Sequence, residues 1–405
     1  MKNITLITTG QPTTNPRLVK EAETLISQGY RVKVICCFYQ SWALQYDEEI
    51  TSKYPGVYVY CGGDPLKGKM AYVRSRLRQK LSLLLFKYLK YKGAAENAIS
   101  RTHTEALSLA KSIQTDLYIA HNLGALPAAV KAARKQGVPV GYDAEDMHTG
   151  QYLSGTDAMY RLNKYIEEQY FPRTSYFTAA SPLIAEYYAA RYNYLAPLVI
   201  NNVFPKTPFG IRQHVEQGGP LKLFWFSQTV GPERGIETIV KAMAGSPGRV
   251  ELHLLGNCSA RDKEALLSLA GQTGLMDGQL YFHDPVPAGK LFSFAAQFDI
   301  GMATETGVPL NRDICLTNKV FTYIQCGLAM IASDTQAQKL FLQQYPDSGK
   351  LYRTGDEGSL RACIDAYLIS PELLHRTRSS NYRLGQTELN WESESRHFLK
   401  LIETI

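Results

Sequence analysis

The sequence is notable first for what it does not contain. No stretch reaches the roughly 18 uninterrupted apolar residues needed to cross a bilayer, so a membrane-spanning helix is not expected. Met1-Lys2 runs directly into Ile4-Thr5-Leu6-Ile7-Thr8, which reads as a strand and not as a cleavable apolar segment, so no signal peptide is expected either. The seven cysteines (Cys36, Cys37, Cys61, Cys258, Cys315, Cys326 and Cys363) are odd in number and show no CxxC spacing. Reduced thiols are therefore expected rather than disulfides or a zinc site, and with them a cytoplasmic location. Neither half carries a GxGxxG loop followed by an acidic residue about 20 positions on, which argues against a dinucleotide-dependent oxidoreductase. No DxD pair is present, so no catalytic metal is expected.

Charge is scarce in one place and one sign only. From Lys67 to Lys92 there are nine Lys/Arg and no Asp or Glu, interleaved with Met70, Tyr72, Val73, Leu77, Leu81 and further apolar residues. On a helix this gives an apolar stripe flanked by cations. The pattern fits a segment lying on an anionic membrane surface, and it equally fits a core-packing helix with a solvated basic face. The net charge of +7 is otherwise modest and no nucleic-acid module is recognisable, so nucleic acid is not an expected partner.

What is present is the composition of a folded protein, with 45% hydrophobic and 20% charged residues, at a length that suits two domains of roughly 200 residues each. Short β-branched runs alternate with longer amphipathic segments. Strands are predicted at 4–8, 31–38, 57–61, 116–121, 138–143, 176–180 and 198–201, with helices at 16–28, 101–113, 123–136 and 156–170. Asn15-Pro16 is a helix start, with Asn15 as cap and proline in the first turn. Residues 204–220, rich in proline and glycine, read as an interdomain linker. The alternation resumes with strands at 222–226, 250–255, 280–283, 298–303, 329–333 and 350–352, and helices at 235–244, 260–271, 319–326 and 359–369. Two successive doubly wound α/β domains are the economical solution.

In open parallel sheets, ligands bind beyond the carboxyl ends of the strands. Two loops of the second half have suitable chemistry. After the strand at 298–303 comes Thr304-Glu305-Thr306-Gly307-Val308-Pro309-Leu310-Asn311-Arg312-Asp313, running on to Asn318-Lys319, where a helix begins. A carboxylate at the strand end can hold sugar hydroxyls. The helix N-terminus with Lys319 can hold a diphosphate. The alternative is a structural turn with a capped helix. After the strand at 222–226, Ser227-Gln228-Thr229-Val230-Gly231-Pro232-Glu233-Arg234-Gly235 offers a glycine-containing turn and an arginine before a helix, a second phosphate site or an ordinary βα turn.

Taken together and in order, several pieces resemble glycosyltransferase family 4, the retaining GT-B group. In the second half these are Phe224-Trp225-Phe226-Ser227-Gln228 with Arg234-Gly235, Leu254-Leu255-Gly256, Glu305, Asn318-Lys319-Val320-Phe321 with Tyr323 and Cys326-Gly327, and Ile331-Ala332-Ser333-Asp334-Thr335. In the first half they are Gly10, His121, Tyr142-Asp143-Ala144-Glu145 with His148, and Val199 to Pro205, with Trp391-Glu392 opening the last helix. The resemblance covers nearly the whole chain. It implies an α/β fold of two Rossmann-like domains facing across a cleft: an acceptor domain at 1–203, a donor domain at 204–385, and a last helix at 386–405 returning toward the first. It also implies that His121, Glu305, Arg234 and Lys319 form the catalytic set. Gly10, Gln228, Gly231, Gly256, Gly307, Val308, Asn311, Asn318, Val320 and Thr322 would lie around the donor, and Asn15, Arg17, Asp143 and His148 on the acceptor side.

There are departures from the family pattern. The second of two glutamates usual in the family falls, by helix register, on Thr322, although Asp313 stands eight residues after Glu305. An arginine usual in the first phosphate loop is replaced by Gln228, and Arg234 stands where lysine is common. The implied activity is metal-independent transfer of a hexosyl-type sugar, without cofactor, from a nucleotide-diphosphate donor to a glycan or lipid-linked acceptor; the basic stripe at 67–92, separately, suggests peripheral contact with an anionic membrane. A non-catalytic nucleotide-sugar-binding protein and a sugar-nucleotide epimerase of the same shape are the alternatives.

Overall fold

The computed structural model describes residues 1–209, 219–244, 248–276 and 278–405. Of the linker expected at 204–220, residues 210–218 lie outside the described residues. The chain divides into two compact units, residues 1–201 with 395–405, and residues 202–394.

The first unit holds a seven-stranded sheet: β1 (Asn3–Thr8), β2 (Arg31–Cys37), β3 (Tyr58–Cys61), β4 (Leu117–His121), β5 (Val140–Ala144), β6 (Tyr176–Ala179) and β7 (Leu198–Val199). Its order is β3-β2-β1-β4-β5-β6-β7, and every pairing is parallel. The strands are apolar runs because both faces are covered by helices. β4 and β5 are buried at every position. An aromatic group of Tyr142, Phe171, Phe177 and Tyr188, with ring centroids 5.0–5.4 Å apart, fills the core beside β5 and β6.

The second unit holds a six-stranded parallel sheet, β8 (Leu221–Val230), β9 (Val250–Cys258), β10 (Leu280–His283), β11 (Ile300–Ala303), β12 (Ala329–Ser333) and β13 (Gly349–Tyr352), in the order β10-β9-β8-β11-β12-β13. Trp225, Ile236, Ile239, Leu252, Leu254, Met302 and Ile331 are among its fully buried core residues.

Strand order reverses between β1 and β4 in the first sheet and between β8 and β11 in the second. These are the switch points where the loops at the strand ends diverge and leave a crevice. Arg234 follows β8 and Glu305 follows β11, so the two loops singled out in the second half flank its switch point. One expectation needs correction. β8 does not stop at Phe226: after a register shift, Thr229 pairs with Asn257 and Val230 with Cys258. Ser227, Gln228 and Thr229 are polar because this extension runs beyond the covered core, and Gln228 belongs to the strand irregularity rather than to a strand-to-helix loop.

Helices absent from the sequence reading include Pro182–Arg191, Ala288–Ala295, Gln336–Gln344 and Pro371–Thr387. All seven cysteines are free. No helix among the described residues is long and apolar enough to cross a membrane.

Candidate functional site

In the second unit, Glu305 sits two residues past β11. Its backbone N–H donates to Ser333 Oγ at 3.0 Å, and Ser333 is held in turn by Gln338 Oε1 at 3.1 Å, so the strand end is fixed from β12. Lys319 lies at the second position of the helix Asn318–Gln325, where its Nζ donates to Glu305 Oε1 at 2.6 Å. Both side chains are about nine-tenths buried, and the ammonium also stands 5.2 Å from the centre of the Trp225 ring. The helix stops where the sequence placed the stop, with Gly327 in the left-handed region at φ 63°. Its N-cap residue, Thr317, makes no side-chain cap bond, and the Thr317 hydroxyl is buried without a partner. The first amides of a helix have no intrahelical acceptor and carry partial positive charge, chemistry compatible with an anion.

Arg234 is brought to the same strand end by its backbone. The Thr304 hydroxyl donates to the Arg234 carbonyl at 3.0 Å. The following Gly235 has φ 75°, and a Cβ there would lie 2.8 Å from Thr304, so glycine is required for the approach. The loop brings a further cation that the sequence reading passed over. Arg312, on the short helix Leu310–Ile314, donates through Nη1 to the Glu233 carbonyl at 3.1 Å, next to Arg234. Neither arginine forms an ion pair among the described residues. The available signal was position, since Arg312 is the one cation between Glu305 and Lys319.

The other donor-side residues divide by what their atoms already do. Gly256, at φ 149°, lets β9 pass β8 where a Cβ would lie 2.3 Å from the Ser227 carbonyl. Gly231 and Gly307 lie in the loops after β8 and β11, with Gly307 at φ 71°. Val308 is exposed, Asn311 is buried, and the Asn318 side-chain oxygen accepts from Asn202 Nδ2 at 3.1 Å. Gln228 is exposed and its carbonyl accepts from Asn257 Nδ2 at 3.3 Å. Val320 is wholly buried in the core, and its amide bonds the Thr317 carbonyl, so neither is turned to a ligand. Thr322 is also fully buried, with its hydroxyl unpartnered. Asp313 does different work: it accepts from the Gln336 amide at 2.8 Å and from Gln336 Nε2 at 2.6 Å, holding the first turn of helix Gln336–Gln344. Gly10 is a residue of the first unit, where its carbonyl accepts from the Cys37 amide at 2.9 Å.

In the first unit the sequence-selected residues do come together, but inward. Arg17 is completely buried and grips Asp143 through two bonds of 2.6 and 2.7 Å, while donating to the Ile200 carbonyl at 2.5 Å. His121 at the end of β4 has no exposed surface. Its Nε2 is 3.0 Å from Glu21, and its Nδ1 is 3.4 Å from Asp143 and 3.6 Å from Glu145. Burial by itself would lower the His121 pKa, but the surrounding carboxylates, Glu21 foremost, raise it to about 10. Burial likewise pushes Glu21 up, while at Asp143 the Arg17 and His121 charges overcome burial and hold the carboxyl below its usual range. Lys20, buried beside Arg17, is pulled down to about 7.

Glu21, His121 and Asp143 each place one potential ligand atom within 4.8 Å of the others. They do not suit a metal. Both imidazole nitrogens already face carboxylates on different sides, and the Arg17 guanidinium occupies Asp143. The expectation that His121 points out toward a sugar is therefore corrected: the ring is wholly buried in the first unit and faces carboxylates on both sides. Of the cluster, Glu145 is the carboxylate with a partly exposed side chain. Asn15 caps its helix by accepting from the Leu18 amide at 3.0 Å. His148, which is half-buried, accepts through Nε2 from the Leu123 amide at 3.3 Å, and burial lowers its pKa.

Neither a family model nor a curated protein sequence matches the chain. Solved structures match it end to end. HepE from Anabaena, in complex with UDP-glucose, superposes with a TM-score of 0.70 at 15% identity, covering 100% of both chains. Sucrose-phosphate synthase from Thermosynechococcus elongatus gives 0.70 at 14% identity over 100% of this chain and 99% of the other. A variant of TarM from S. aureus, solved with UDP and α-GlcNAc-glycerol, gives 0.70 at 10% identity over 99% of each. At such identities the likeness shows the fold: α/β, with two Rossmann-like halves of seven and six strands, matching GT-B glycosyltransferase structures.

Proposed function

We propose that the chain is a glycosyltransferase of family 4 type that moves a hexosyl-type sugar from a nucleotide-diphosphate donor to a glycan or lipid-linked acceptor, with retention of configuration and without a metal or cofactor. One observation carries the reading. The buried Lys319–Glu305 pair stands at the switch point of the second sheet, beside an uncapped helix N-terminus and two arginines that form no ion pair among the described residues.

The chemistry follows from charge. When the glycosidic bond to the diphosphate breaks, negative charge builds on the leaving oxygens. Arg312 and Lys319, held by their contacts, the Arg234 side chain and the amides of Asn318 and Lys319 would supply cations and dipoles for that charge. A single such donor is commonly worth about 3–4 kcal/mol of barrier. Lys319 is not a free cation in this arrangement. Glu305 neutralises and orients it, which leaves the net attraction for phosphate to the two arginines and the helix end. The second oxygen of Glu305 remains for sugar hydroxyls. The Thr317 hydroxyl, unpartnered at the helix N-terminus, is suited to a donor contact, and with a wholly buried threonine at 322 the ribose lacks the carboxylate usual in the family. In the first unit, Glu145, the partly exposed carboxylate beside His121, would face an acceptor hydroxyl at the carboxyl edge of that sheet. The UDP-bound neighbours support starting from uridine donors. A cytoplasmic site beside a membrane is part of the same reading.

The test is release of nucleoside diphosphate from a panel of nucleotide sugars in the presence of glycan and lipid acceptor extracts. Acceptor-dependent release with sugar incorporation supports transfer. Isomerised donor without acceptor would make the protein an epimerase, and binding without any turnover would make it a binding protein.

A further inference from the structure

The helix Lys69–Leu89 packs the wrong way round for a globular protein. Its inward side is mostly polar and small, with Tyr72 and Phe86 half-buried at its ends against Phe38 and Tyr165. Ser75 and Ser82 are its buried residues. Gln79 Nε2 donates to the Ala98 carbonyl at 3.2 Å, Ser75 accepts from Arg101 Nη1 at 2.9 Å, and Arg78 pairs with Glu105. The neighbouring helix Ala95–Ile99 presents buried alanines to it. The opposite stripe is Met70, Val73, Leu77, Leu81, Leu84 and Tyr88, spaced by three or four residues on one face and 46–89% exposed. Core packing, the alternative the sequence left open, therefore accounts for the serine face and not for the leucine face. A contiguous exposed apolar stripe of this length calls for an occupant.

The flanks identify it. By helical periodicity Lys69, Arg76, Lys80 and Lys87 run along one edge of the stripe and Arg74 along the other, and no acid occurs between residues 67 and 92. A second copy of the chain docking there would oppose like charges. A surface that is apolar in depth and anionic at the rim matches the stripe at both levels, and that is a bilayer with acidic headgroups. We propose that the helix Lys69–Leu89 is a monotopic membrane anchor, lying in the plane of an anionic leaflet with Leu77, Leu81 and Leu84 in the acyl boundary and the lysines and arginines among the phosphates. The proposal rests on the membrane-side part of the proposed function, but binding requires no donor or turnover, so its failure would leave sugar transfer itself untouched.

The experiment is flotation of the full chain with vesicles of phosphatidylcholine and phosphatidylglycerol in equal parts, paired with light scattering without lipid. Wild type is expected to float at low salt, less so at high salt as the charges are screened. The triple variant L77S/L81S/L84S is expected to keep its melting temperature, because these side chains are exposed, and to lose about tenfold or more of the floated protein. Tryptophan emission from a Leu81→Trp variant should shift to shorter wavelength on the same vesicles. Three results would overturn the proposal: wild type that stays at the bottom, a triple variant that floats equally well, or a wild-type dimer in solution that the triple variant converts to monomer.

Discussion

Lys319 and Glu305 are held to each other, Nζ to Oε1 at 2.6 Å, inside the protein and not at its surface. Removing either partner leaves the other buried and unpaired. Lys319→Ala is therefore expected to cost about 3–5 kcal/mol of stability as well as donor binding, measured by urea denaturation and calorimetry. This differs from the expectation for an isolated phosphate-binding lysine, whose loss would reduce turnover and leave the fold alone.

Arg312 and Arg234 separate the two effects cleanly. Neither forms an ion pair among the described residues, and Arg312 reaches only a backbone carbonyl and, at 3.5 Å, the Thr306 hydroxyl. Alanine at either position should change stability by no more than about 1 kcal/mol while lowering kcat by about 10²–10³. Equal melting temperatures with a collapsed rate would place both at the leaving group, and unchanged kinetics would make them surface residues.

Arg17 and Asp143 form the corresponding internal pair of the first unit. Arg17→Ala is expected to destabilise the protein by about 3–5 kcal/mol, because the Asp143 carboxylate loses two hydrogen bonds in a site without water access. Arg17→Lys should recover only part of this, since an ammonium cannot reproduce the two-pronged contact or reach the Ile200 carbonyl in the same pose. Thermal unfolding of the two variants checks the order.

His121 gives a pH dependence with a definite sign. Its folded pKa is raised from 6.5 to about 10, so its stabilising contribution is fully present below about pH 6.5 and is lost as pH rises through about 10. Lys20, lowered from 10.5 to about 7, works in the opposite direction over much of the same range, so the wild-type curve alone does not isolate the histidine. The difference between wild type and His121→Gln isolates the histidine. It should be largest near pH 6 and shrink toward pH 10. A difference that grows with pH would mean the ring is neutral in the folded state.

Much of this was legible in the sequence because buried parallel strands are plain apolar runs. Leu280–His283 and Ala329–Ser333 were located to the residue, and the helix ending before Gly327 was fixed by its glycine stop. Orientation was less legible. His121 ends its strand as expected, but only the fold shows its ring facing three carboxylates from elements far apart in sequence. Spacing alone could not separate the leucine and serine faces of Lys69–Leu89 into outer and inner, because the usual rule that the apolar face turns inward fails there. Asp313 stood at the family's glutamate spacing, yet it caps a helix that had no periodicity strong enough to be read. Arg312 was overlooked because its partner is a backbone carbonyl, which sequence does not display.

Amide hydrogen exchange with and without a nucleotide sugar that raises the melting temperature tests the central claim most directly. The expected result is new protection confined to residues 304–320 and 231–236, the two loops at the switch point of the second sheet, and its loss in Arg312→Ala. A nucleotide sugar that binds while protecting neither segment would contradict the donor site, as would a full panel from which none binds.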